Sequence, residues 1–207
     1  ALQKLRKNAT SRVIRPGTSG SEDSQVEGST AESRMNLVWE LTLQCLAMQV
    51  AGKLSPDFKD LLSEFNAHHV EYLVVGAYAL AAHGRVRATG DLDVWVRPDV
   101  ANARKVLNAL AAFGAPLQDL TESDLAQPGV VYQIGVAPLR IDVLTAIDAV
   151  DFDDAWKQRI TTLFAGQAVS VLSAGHLIQN KRAVGRSQDI ADLEWLEKNR
   201  RERDLTG

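Results

Sequence analysis

The 207-residue chain holds a single cysteine, Cys45, so no internal disulfide can form and no disulfide framework supports the fold. No stretch of about 18 consecutive apolar residues occurs, which excludes a membrane-spanning helix. Aromatic residues are few, at 6%, and no basic, aromatic-rich stripe marks a track for a long nucleic acid. Neither charge sign dominates: 23 basic residues face 26 acidic ones, a net of -3, which does not provide a broad electrostatic grip on DNA or RNA. The apolar share of 45% and the charged share of 24% are those of a globular domain, so collagen-like and wholly disordered chains are excluded as well. What is left is a soluble domain whose lone thiol suits the cytoplasm.

The first 34 residues differ from the rest. They carry no aromatic residue and few large apolar ones, and they are rich in Ser, Gly and Thr between Ser19 and Thr30. Such a segment buries too little apolar area to offset its ordering entropy. Residues 1–34 are expected to be a disordered extension ahead of a natural start at Met35. Beyond them stand 17 basic and 22 acidic residues, a net of -5 over one domain spanning 35–207.

Periodicity then sets the element order. Helices are expected over 36–51, from Ser55-Pro56 through Phe65, over 77–83 and from Asp99 to Gly114. Strands are expected at Tyr72–Val75, Asp91–Val96, Val130–Val136, Leu139–Leu144, Thr162–Phe164 and Ala168–Leu172. A helical turn follows Thr121, a short helix covers 151–160, and a helical pair closes the chain over 173–200. The order predicts an α/β (α+β) fold, a mixed sheet with helices packed on it, with its core at about 56–172.

Three segments carry chemistry. In Asp91-Leu92-Asp93, two carboxylates share one face of a strand, because residues two apart point the same way. Their repulsion is offset by a proton or a cation, and hard oxygen ligands suit Mg²⁺. A solvated strand face carries the same pattern. Asp142 stands in the apolar run Ile141–Leu144, where it calls for an ion pair, with Arg140 or Arg87, or for a metal. If the two strands are neighbours, three carboxylates converge as in sites holding two ions for phosphoryl or nucleotidyl transfer. In Val75-Gly76-Ala77-Tyr78 a strand turns through glycine into a helix. That is either a plain turn or a place where a phosphate meets free backbone N–H groups.

Taken in that order, Gly76-Ala77, Asp91/Asp93 and Asp142 resemble the DNA polymerase beta-like nucleotidyltransferase superfamily. The likeness extends to Ala79, His83-Gly84, Arg87-Ala88-Thr89 and Trp95. It is similar to the small bacterial branch related to abortive-infection and toxin-type transferases. The resemblance implies a nucleoside triphosphate substrate and two Mg²⁺ ions on Asp91, Asp93 and Asp142. It implies a nucleoside monophosphate passed to an acceptor hydroxyl with release of pyrophosphate. Small molecules, tRNA ends and proteins are all acceptors in this superfamily, and nothing in the sequence chooses among them. Gly76, Ala77, Tyr78, Arg87 and Lys181 would then bind the nucleotide. Ala77 replaces the usual Gly or Ser and lacks a hydroxyl for the phosphates.

The stretch from Lys181 to Leu193 reads by itself as a solvated helical hairpin with Gly185 as its cap. By the resemblance, Lys181 reaches phosphates or acceptor, supported by Arg186, Asp189 and Asp192; the two aspartates fall on one helical face. Arg85 is expected in solvent. Trp95 is placed on the Asp face, where it either packs or stacks on a base. Two other readings stay open: a catalytically weak, transferase-like binding or antitoxin-type partner, and a metal-dependent phosphohydrolase.

Overall fold

The structure, a computed structural model, describes residues 10–16, 55–87, 89–136, 139–164 and 166–206. The helix expected at 36–51 lies outside the described residues. Helix α1 (Pro56–Ala67) starts at the Ser55-Pro56 signal and buries Phe58, Leu61, Leu62 and Phe65 along one stripe. Each such side chain removed from water stabilises the fold by about 1.5–3 kcal/mol. The short strand β2 (Tyr72–Val74) is buried at every position. It runs into α2 (Gly76–Ala82), and β3 (Asp91–Val96) returns beside it.

Helix α3 (Val100–Phe113) is capped as its sequence requires. The Asp99 carboxylate accepts the Asn102 N–H, and Gly114 closes the helix in the left-handed region. Helix α4 (Glu122–Leu125) carries a full capping box between Thr121 and Asp124. Strands β4 (Val131–Val136) and β5 (Leu139–Leu144) pair antiparallel. Helix α5 (Phe152–Lys157) is shorter than expected, because β6 (Ile160–Phe164) begins at Ile160 and pairs antiparallel with β7 (Gln167–Val171). Helices α6 (Ala174–Val184) and α7 (Ser187–Thr206) form the C-terminal pair.

Among the described residues, seven strands form one mixed sheet. With β1 (Ser11–Ile14) at one edge, its order is β1-β4-β5-β3-β2-β7-β6, with β5·β3 and β2·β7 parallel and the other pairs antiparallel. The expected mixed α/β architecture is therefore present. No helix among the described residues is long and apolar enough to cross a membrane.

One part of the leader departs from expectation. Residues Ser11–Ile14 form β1, an edge strand paired in register with β4 from Ser11↔Ile134 to Ile14↔Val131. Arg15 ties it down, donating through Nη2 to the Asp119 carbonyl at 2.8 Å and to Asp124 Oδ2 at 2.9 Å. Ser11 Oγ donates to the Pro116 carbonyl at 3.1 Å. The β4 edge and the Asp124 carboxylate of α4, both more than 100 residues away, supply the order that local composition does not.

Candidate active site

Strands β3 and β5 are parallel neighbours, with Asp91 opposite Arg140 and Asp93 opposite Asp142. Paired residues share a face of the sheet, so the three carboxylates come to one spot. The alternate positions Leu92, Val94, Ile141 and Val143 are fully buried on the other face. That burial fixes the register, because a one-residue slip would bring the carboxylates into the core.

Arg140 stands among the carboxylates. Its Nε donates to Asp142 Oδ1 at 2.8 Å and its Nη2 to Asp91 Oδ2 at 3.2 Å. Gln133 Nε2 lies 3.4 Å from both oxygens of Asp142. The ion pair and the convergence, alternatives at the sequence level, are thus both present, and Arg140 rather than Arg87 is the partner of Asp142. Asp93 has no such partner. Burial, and then the charges of Asp142 and Asp91, push its carboxyl up to about 7, against the pull of Arg140 and Arg87. Burial also raises Asp142, with Arg140 opposing it.

Gly76 has φ +61°, and a Cβ built on it would overlap Asp93 Oδ2. The glycine is needed first because the Asp93 carboxylate packs against its backbone. Val75 N–H donates to the Asp93 carbonyl at 3.0 Å and completes the joint. The side chains of Ala77 and Tyr78 do not face the site. Both are buried, and the Tyr78 ring meets Phe58 edge-on at 5.8 Å and Phe164 at 6.2 Å. At these two expected nucleotide-binding positions only the backbone is left for a ligand.

Lys181 lies against two of the residues expected to support it. It is 4% exposed, and its Nζ lies 2.6 Å from Asp189 Oδ1 and 2.8 Å from Asp192 Oδ2. Asp189 and Asp192 do share one helical face, and that face points at Lys181. Asp192 is a buried hub that also takes Arg85 Nε at 2.8 Å, so Arg85 is an anchor rather than a solvated side chain. Arg87 donates through Nη1 to Gln188 Oε1 at 2.9 Å, and its Nε lies 3.7 Å from Asp192 Oδ2. Arg186 N–H donates to Asp189 Oδ2 at 3.3 Å. This network binds the segment ahead of β3 to α6 and α7.

A cleft of about 360 Å³ opens over Gly76 and Asp93, with Arg87, Lys181, Arg186 and Asp189 on its walls. Arg87 and Arg186 are the cations there that hold no direct carboxylate contact below 3.5 Å through their side chains. A second cleft of about 350 Å³ lies toward the β1 edge, where Gln133 and Arg140 line it together with Arg12. Sequence reasoning did not place Gln133 or Arg12 at a site and gave Arg140 only an ion pair. Arg140 was reachable, being two residues from Asp142 on the same face. Arg12 was not, because its position depends on β1. Trp95 is 2% exposed and packs edge-on against Phe152 at 4.9 Å, so it belongs to the core and stacks on no base.

The donor set suits a hard divalent cation in chemistry: three carboxylates, one of them pushed up to about 7 by burial and then by the charges of the other two. Their present arrangement is not a cage. Among the described residues no group of three or more His, Cys, Asp or Glu side chains is disposed to hold a metal ion. Arg140 holds one oxygen each of Asp91 and Asp142.

No protein-family model matches the chain, and no curated protein sequence matches it. Several solved structures are similar, two of them as follows. One is the solution structure of the antibiotic-resistance factor ANT(2'')-Ia, at 14% identity and a TM-score of 0.47, covering 72% of this chain and 92% of that one. The other is the lincosamide antibiotic adenylyltransferase LnuA with lincomycin bound, at 13% identity and a TM-score of 0.46, covering 70% of this chain and 97% of that one.

Proposed function

We propose that the protein is a nucleotidyltransferase that moves a nucleoside monophosphate from a nucleoside triphosphate to an acceptor hydroxyl and releases pyrophosphate. The observation that carries this reading is the parallel register of Asp93 with Asp142, with Asp91 two residues along on the same face. Asp93 lines a cleft that also holds Arg87 and Arg186, and Asp91 and Asp142 stand beside it on the same face of the sheet; carboxylates and cations so placed are the chemistry an in-line transfer at phosphorus needs.

The triphosphate lies over Gly76, where Arg87 and Arg186 face its negative charge and the backbone replaces the hydroxyl that Ala77 lacks. Asp91, Asp93 and Asp142 would hold Mg²⁺, two ions by the resemblance, which neutralises charge on the phosphates when bound. The acceptor oxygen bonds to the α-phosphorus as the bond to pyrophosphate breaks, and the electron pair leaves with pyrophosphate. Asp142 takes the hydroxyl proton. Its upward shift from burial makes it a better base than an exposed carboxylate.

A second reading, a transferase-like binding partner without turnover, is favoured by Arg140 closing on Asp91 and Asp142 and by the pairing of Lys181. Incubation with α-labelled ATP, CTP, GTP or UTP and a cell extract separates the two. The transferase labels an acceptor, and Asp93→Asn abolishes the label. Free phosphate without a labelled acceptor indicates a phosphohydrolase. Calorimetry showing no Mg²⁺-dependent nucleotide binding favours the binding partner.

A further inference from the structure

The sheet register runs one row of side chains past the carboxylates. Asp93 on β3 pairs with Asp142 on β5, Asp142 with Gln133 on β4, and Gln133 with Arg12 on β1. All four share a face. With strands about 4.8 Å apart, Arg12 starts roughly 10 Å from Asp142. The row crosses from the carboxylates into the cleft at the β1 edge, where Arg12, Gln133 and Arg140 form the polar lining beside Thr10 and Ser11.

That cleft is cationic in an acidic domain. Among the described residues, two guanidinium groups line it and no carboxylate does. Arg12 is exposed and makes no ion pair with another described residue, while Arg140 holds Asp91 and Asp142 from one side and lines the cleft from the other. A planar guanidinium beside a second one and a carboxamide is an arrangement for a carboxylate or a phosphate. It gives no anionic partner to an ammonium.

We propose that this cleft is the acceptor subsite and that Arg12, supplied by the leader strand, selects a small acceptor carrying an anionic group near its reactive hydroxyl. The word acceptor rests on the nucleotidyltransferase reading; the anion subsite rests on the cleft alone. Arg12 grips the anion, Gln133 holds Asp142 in line, and the hydroxyl faces Asp142. A cationic acceptor is repelled from the same place.

The test uses the full chain and three probes built on one three-carbon backbone: glycerol 3-phosphate, glycerate and glycerol. Arginine Nε–H resonances are followed in ¹H–¹⁵N spectra without nucleotide. The two anionic probes shift the resonances of Arg12 and Arg140, and glycerol shifts neither. A response to glycerol 3-phosphate alone assigns a phosphate, and a response to both anions assigns an anion of either kind. Arg12→Gln weakens anion binding about tenfold or more, the loss of one charge-assisted hydrogen bond, and Arg12→Lys recovers part of it. Binding equally tight in Arg12→Gln, or glycerol binding as well as the anions, overturns the proposal. Transfer from labelled ATP run in parallel keeps the two readings apart. Anion binding at Arg12 without any transfer keeps the subsite and removes the transferase. Transfer to glycerol or to an amino sugar, unchanged in Arg12→Gln, keeps the transferase and removes the subsite.

Discussion

Gly76 and Asp93 occupy one another's space: the glycine backbone, at φ +61°, lies where the Asp93 carboxylate packs, and a methyl group there would overlap Asp93 Oδ2. The turn from β2 to α2 and the placement of the least compensated carboxylate are therefore a single structural decision.

Gly76→Ala is expected to fail twice. The left-handed conformation costs a non-glycine residue about 1–3 kcal/mol, and the added methyl forces Asp93 off its position. Chemical unfolding of the variant should show a loss of at least about 1 kcal/mol, and labelled-nucleotide transfer should fall with it. A variant as stable and as active as the parent would mean that the carboxylate has room to move and that its packing on Gly76 does not matter.

Asp93 gives the metal-free protein a defined pH dependence. Its carboxyl is raised in the fold from 3.8 to about 7. Between those values the folded chain keeps a proton that the unfolded chain has lost, so stability falls as pH rises through this window and the full penalty stands above it. Asp142 is shifted in the same direction. Asp124 and Asp153 are lowered by their arginine partners and act with the opposite sign, below the ordinary carboxylate range. Thermal unfolding in chelator should show Asp93→Asn more stable than the parent at pH 8 and equal to it near pH 4. A difference that grows toward acid instead would contradict the burial of this carboxylate.

Much of this was legible from local pattern. The caps at Asp99 and Thr121, the apolar stripes of α1 and α3 and the alternation of β3 and β5 are short-range signals, and the same alternation brought Asp91, Asp93 and Asp142 together once the strands were neighbours. What was not legible depends on partners far along the chain. Ser11–Ile14 becomes a strand because β4 offers an edge and Asp124 a charge. Trp95 lies on the Asp face by alternation, but Phe152 covers it. The burial of Lys181 against Asp189 and Asp192 likewise depends on α7 folding back onto α6.

Lys181→Met tests that last assignment. The substitution leaves two carboxylates facing each other in a buried place, with Arg85 as the close side-chain partner still on Asp192. Breaking a buried pair on one side costs about 3–5 kcal/mol. Lys181→Met combined with Asp189→Asn should recover part of that loss, since fewer charges are left uncompensated. If Lys181→Met unfolds like the parent while nucleotide affinity drops, the ammonium serves phosphates and its pairing is incidental.

Asp142→Asn separates chemistry from structure at the centre of the site. The amide oxygen still accepts from Arg140, so the local hydrogen bonding survives and the change removes one of the two charges that raise Asp93. Stability without metal should be unharmed, and the pH window of Asp93 should narrow from its upper end. Transfer should fall by about 10²–10⁴-fold, the usual cost of losing a positioned base. If Asp142 served only as the ion-pair partner of Arg140, the pattern would reverse, with stability dropping and transfer by the folded fraction unchanged. Unfolding curves and single-turnover rates on the same preparation decide between the two.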